Sequence, residues 1–211
     1  MKAIILVSFL LFSARGFGYC LPDSLSINLS HNDVSEFEIL AYDFQKAVES
    51  TLGRDQSLVV QLQMLNSRVN AEIKKDNNLV MIEVMGGMVN HPQMNINAFK
   101  LLLCHEWGHF MGGAPFKSRG GWSSTEGQAD YYSGLVCSRI LGMDEASVIE
   151  GALAITQIYS LVTRESPPRL DACDQNRVQR INFGYPSVQC RLDTIMAGWR
   201  NLPRPSCWYI E

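Results

Sequence analysis

The residues with the clearest chemical potential are His105, Glu106 and His109, in the run His-Glu-Trp-Gly-His. Four positions is close to one helical turn, so on a helix both imidazoles project from one face and can share a divalent metal at about 2.0–2.1 Å. Glu106 is rotated about 100° from His105, where a carboxylate reaches a water beside the metal without being a ligand itself. This is the donor pattern of metal-assisted hydrolysis, with Glu106 as general base. His31 and His91 have no partner at ligand spacing and are expected to be surface or structural residues.

A catalytic metal site needs a third protein ligand and an open position. Glu126 is the expected ligand: it opens the segment Glu-Gly-Gln-Ala-Asp, 17 residues beyond His109 (126 − 109), and Asp130 follows four residues on, on the same helical face. Glu126 then binds the metal while Asp130 accepts a hydrogen bond from a ligand imidazole and fixes its tautomer. Gly127 and Ala129 keep this helix slim where it must approach the His-Glu-Trp-Gly-His helix.

The surrounding pattern supplies those elements. Ser35 and Glu38 form a capping box that opens an amphipathic helix with Phe37, Leu40, Phe44 and Val48 at helical spacing, stopped at Gly53. Residues 57–65, 68–74 and 79–84 read as three short strands, the last two joined by a hairpin at Asp76-Asn77-Asn78. Gly86-Gly87 marks a bulge, a close backbone approach or a loop. Helices are expected over about 95–111, from the Ser123-Ser124-Thr125 caps to about Leu141, from Asp144 to about Thr163, and from Pro186-Ser187 to about Trp199. Glu165-Ser166-Pro167-Pro168 breaks the chain between the last two. The predicted architecture is α+β and mostly helical, with a small antiparallel sheet beside the two ligand-bearing helices. Trp107, Phe110, Tyr131 and Tyr132 are expected in the core around the helix packing rather than in a cleft.

The 211 residues, 46% hydrophobic and 18% charged, suffice for one domain with a sizeable core. Residues 1–18 read as a secretory leader: Lys2, an apolar run over 3–12, then the small residues Ala14, Gly16 and Gly18. The remainder, 19–211, is expected to be a single domain with no transmembrane segment. Without Lys2 and Arg15, 16 of the 18 basic groups face 21 acidic ones, a net charge of −5, which argues against a nucleic-acid partner. The expected location is periplasmic or extracellular. A lipid anchor on Cys20 is the alternative, disfavoured by the bulky Tyr19 before it.

Six cysteines in an exported chain suggest up to three disulfides. Cys190 with Cys207 is the leading expectation, since both lie in a short Pro-rich C-terminal segment; Cys137 with Cys173 follows. Cys104 adjoins His105 but points about 100° away, so it is expected in a disulfide or as a buried thiol, not at the metal.

The chain resembles the gluzincin peptidases related to the prenyl-protein (CAAX) protease and the bacterial HtpX protease. That family carries HExxH and then a helix with ExxAD, matched here by His105, Glu106, His109, Glu126 and Asp130. It also carries a later His-Pro followed by an Arg; here Tyr185-Pro186 leads on to Arg191, with Tyr185 where the family has the His. The likeness covers about 79–191. It implies a zincin-type fold, one Zn²⁺ per chain, and a protein or peptide substrate. It also implies roles for Tyr185 and Arg191 in holding the substrate and its oxyanion; a phenol also donates a hydrogen bond. A zinc-bearing envelope binding protein or holdase, or a zinc amidase acting on cell-wall peptides, would share the same ligands.

Overall fold

The structure, a computed structural model, describes residues 18–19 and 35–211. Most of the expected leader, together with Cys20 and His31, lies outside the described residues. Helix α1 (Ser35–Glu49) is followed by strands β2 (Ser57–Gln63), β3 (Ala71–Asp76) and β4 (Leu79–Met85). A one-turn helix α2 (Gly86–Val89) leads to the long helix α3 (Ile96–Met111). After a loop come α4 (Glu126–Tyr132), a π-helical turn (Ser133–Cys137) and α5 (Ser138–Ile140), then α6 (Glu145–Thr163) and α7 (Val188–Trp199). A two-residue strand β1 (Gly18–Tyr19) pairs antiparallel with β3.

The helix starts follow from local chemistry. Asn95, Asp144 and Ser187 each cap a helix, their side chains accepting from the backbone N–H of Ala98, Ser147 and Cys190. Thr125 occupies the N-cap position of α4 without a side-chain cap bond. The single helix expected up to Leu141 instead contains a π turn that rephases it.

The sheet is mixed, not antiparallel as expected. β3 and β4 form the predicted antiparallel hairpin, turned at Asn77 with φ of 50°. β2, however, pairs with β4 in parallel, Ser57 opposite Leu79 through Gln63 opposite Met85, on the side of β4 away from β3. The link over 64–70 therefore crosses the end of β4, where Met85 N–H donates to Asn70 O and Gly87 N–H to Asn66 O. Gly86-Gly87 is where that backbone comes close, in a buried helical turn rather than a bulge.

The core forms where one face of the sheet, with Ile73, Val80, Ile82 and Val84, meets α1 and α3 through Phe44, Val48, Phe99, Leu102 and Trp107. It continues between α3 and α6 through Leu101, Val148, Ile155 and Ile158. Trp107 is fully buried, as expected. α6 is long and apolar enough in length and composition to span a membrane, yet half of it is buried inside the fold. His91 is buried, with Nδ1 accepting from Gln93 N–H.

Among the described residues two disulfides form. Cys190–Cys207 is the expected pair. Cys137 bonds not to Cys173 but to Cys104, their Cα atoms 5.4 Å apart, because the π turn lies against α3; among the described residues Cys173 is an exposed free thiol. Two disulfides point to an oxidising, non-cytoplasmic location.

Candidate metal centre

Helix α3 is buried along its ligand-bearing turn: His105 is 2% exposed, and Glu106 and His109 not at all. The loop over 112–125 folds straight back, with Ser124 N–H donating to His109 O and Thr125 N–H to Pro115 O. α4 therefore begins beside the end of α3, and its first residue, Glu126, faces the histidines. The approach is close because Gly108 lies against Ala129. A Cβ built on Gly108 would sit 2.7 Å from the Ala129 carbonyl oxygen and 2.9 Å from its Cα.

The imidazoles meet almost edge to face, their centroids 4.7 Å apart. His109 Nδ1 lies 2.8 Å from the Ser124 carbonyl, which can only accept, so Nδ1 carries the proton. His105 Nδ1 lies 2.7 Å from Asp130 Oδ1. With both Nδ1 atoms engaged, the Nε2 atoms turn to Glu126: His105 Nε2 is 3.2 Å from Oε2, and His109 Nε2 is 3.5 Å from Oε1. A tetrahedral centre with arms of about 2.1 Å has edges of about 3.4 Å, so the spacing fits a zinc-sized cation. Moreover, His109 Nε2 and Glu126 Oε2 are buried without a hydrogen-bond partner. Unsatisfied buried acceptors are costly, and a dication resolves both at once. These three residues form a group that could hold a metal ion. A second grouping, Asp174 with Cys190 and Cys207, offers no thiolate because both sulfurs are in the disulfide.

Two cations surround the carboxylates. Arg191, on α7, donates from Nε to Asp130 Oδ2 at 2.8 Å and from Nη2 to Oδ1 at 2.9 Å. Its guanidinium lies 4.0 Å over the Tyr159 ring, and Nη2 is 3.7 Å from Glu126 Oε2. Lys117 reaches in from the loop and pairs with Glu126 Oε1 at 2.6 Å. Burial alone would raise the pKa of both carboxyl groups. Lys117, assisted by the two histidines, outweighs it and holds Glu126 well below the usual carboxylate range, and Arg191 with His105 lowers Asp130. Burial pushes His109 down to about 3, against the pull of Glu126. Both ionised carboxylates and the neutral His109 are the protonation states a metal requires.

The fold thus gathers His105, His109, Glu126, Asp130 and Arg191, with Glu106 buried beside them on α3. Tyr185, on the segment leading into α7, is 45% exposed and so is not part of the buried cluster. Gly127 does not face α3, contrary to expectation; Ala129 does, and Gly127 packs on Trp208. Lys117 escaped the sequence reading, because a lysine in a Gly-rich loop carries no spacing signal for what it reaches. No protein-family model, curated protein or solved structure matches the chain.

Proposed function

We propose that this chain is an exported zinc-dependent endopeptidase of the gluzincin type, akin to the CAAX prenyl protease and HtpX family. The observation that carries the reading is the paired orientation of the histidines. Both Nδ1 atoms are tied to oxygens while both Nε2 atoms converge on Glu126 at tetrahedral-edge distances. Ligand imidazoles are commonly oriented in this way, by a carbonyl or carboxylate behind them.

His105, His109 and Glu126 would hold the zinc. When bound, the cation supplies Lewis acidity toward a peptide carbonyl and a water molecule. Glu106 takes the proton of the attacking water and returns it to the departing amine. Asp130 holds the His105 ring, and Arg191 in turn fixes Asp130, which makes Arg191 a positioning residue in the buried cluster. By the family resemblance alone, Tyr185, outside the buried cluster, would donate a hydrogen bond to the oxyanion that develops on the substrate. Lys117 offsets the charge on Glu126 and leaves a cation beside the site for a carbonyl oxygen or carboxylate of the substrate.

Metal analysis of the purified protein, together with cleavage of an unfolded casein substrate, tests the reading. One zinc per chain and cleavage abolished by a chelator are expected. Zinc bound without any cleavage would point instead to a binding protein. Absence of bound zinc would end the proposal.

A further inference from the structure

The helix that begins with Glu126 is held from behind by the end of the chain. Trp208 is fully buried, and its indole covers Gly127 so closely that a Cβ at that position would sit 2.3 Å from the ring atom Cδ2. Arg204 donates from Nε to Gln128 Oε1 at 2.8 Å, and Gln128 Nε2 passes the contact on to Gly112 O at 2.7 Å, at the end of α3. The hydroxyl of Tyr131 donates to Leu202 O at 2.6 Å, and the Arg204 guanidinium stacks on the rings of Tyr131 and Tyr209. All four residues between Glu126 and Tyr131, and Tyr131 itself, are thus in contact with the tail or with α3: Gly127, Gln128 and Tyr131 with the tail, and Gln128, Ala129 and Asp130 with α3 or its cap. The tail is itself fastened: Cys207, next to Trp208, is bonded to Cys190 on α7, one residue before Arg191. Val178 N–H donates to Ser206 O and Asn182 N–H to Trp208 O. Tyr131, Cys190, Ala197, Cys207 and Trp208 form a small apolar core separate from the main one.

We propose that residues 202–209, stapled to α7 by Cys190–Cys207, are a brace that sets the position of Glu126 against the two histidines, with Trp208 as the principal positioning residue. The inference rests on the metal reading above. α4 is only seven residues long and runs directly into a π turn, so its own hydrogen bonds fix its first residue poorly. On the side facing α3 it is packed through Gly108 and Ala129; from the other side, Trp208 and Arg204 prevent it from swinging away. A ligand displaced by about 1 Å loses the geometry that zinc demands.

The test uses the full chain with three changes: Cys190→Ser with Cys207→Ser, Trp208→Leu, and the conservative Trp208→Phe. Two quantities are read. One is amide hydrogen exchange of 127–132 relative to α6; the other is zinc affinity by competition with a chromogenic chelator. The first two variants should exchange 127–132 faster while α6 keeps its protection, and should bind zinc at least about tenfold more weakly. Trp208→Phe should recover most of both. A lower melting temperature with unchanged zinc affinity, or with no selective loss of protection in α4, would show the tail to be a mere cover and overturn the brace. If the unaltered chain takes up no zinc, the metal reading fails, and exchange alone then decides: α4 protection lost with the staple keeps the brace, and protection retained removes it.

Discussion

Arg191 and Asp130 are joined by two parallel hydrogen bonds, 2.8 and 2.9 Å long, and the same Asp130 carboxylate lies 2.7 Å from His105 Nδ1. Both partners are about 98–99% buried. Replacing Arg191 with Met therefore strands a carboxylate in a dry site, at a cost of about 3–5 kcal/mol. It also frees the His105 ring, so zinc affinity should fall roughly 10–100-fold. Arg191→Lys should not restore it, because an ammonium cannot make the fork. Thermal melts and chelator competition check both effects; a variant that binds zinc normally would remove Arg191 from the site.

Glu106→Gln keeps the shape of the side chain and removes the base. Zinc content should stay at that of the parent, while the hydrolysis rate falls by roughly 10²–10⁴. Unchanged cleavage by this variant would exclude Glu106 as the proton acceptor.

Gly108→Ala tests the contact between the ligand helices. The added methyl meets Ala129 backbone at 2.7 and 2.9 Å, which cannot yield as a side chain does. A destabilisation of about 1–3 kcal/mol is expected, with weakened zinc binding because α4 is pushed off α3. A substitution on an exposed face of α3 that lowers the melting temperature equally should leave zinc affinity intact.

Most of the group that could hold a metal was legible in the chain because it is local. The four-residue spacing of His105 and His109 fixes a shared face, and Glu126 with Asp130 repeats that logic one helix later. Arg191 was legible only through family resemblance, and its pairing with Asp130, itself expected from the sequence, became visible only once α7 was placed against α4. What stayed hidden depends on contacts between distant segments. Nothing near Lys117 signals that its loop folds over Glu126, and nothing near Ser57 says that β2 pairs with β4 in parallel rather than with β3. The partner of Cys137 depends on the π turn bringing it to Cys104, which helical periodicity alone does not give.

The metal-free protein should lose stability as pH falls. His109 has its pKa lowered from 6.5 to about 3 by burial, so between those values the unfolded chain binds a proton that the native state refuses. Stability then rises with pH across this window and levels off above 6.5. His91, also lowered by burial, contributes in the same direction. Melting of the chelator-treated protein from pH 7 to pH 4 should show the decline, and His109→Gln should flatten part of it. An identical slope in that variant would mean that His109 is not held neutral.

The Cys104–Cys137 bond starts one residue before His105 and ends in the turn that continues the Glu126 helix, so the two halves of the metal cage are covalently hinged to each other. Under the proposed metal reading, a covalent hinge of this kind should let the two sides keep their relation when the cation is removed: the chelator-treated chain should retain its circular dichroism and take up zinc again when the ion is returned.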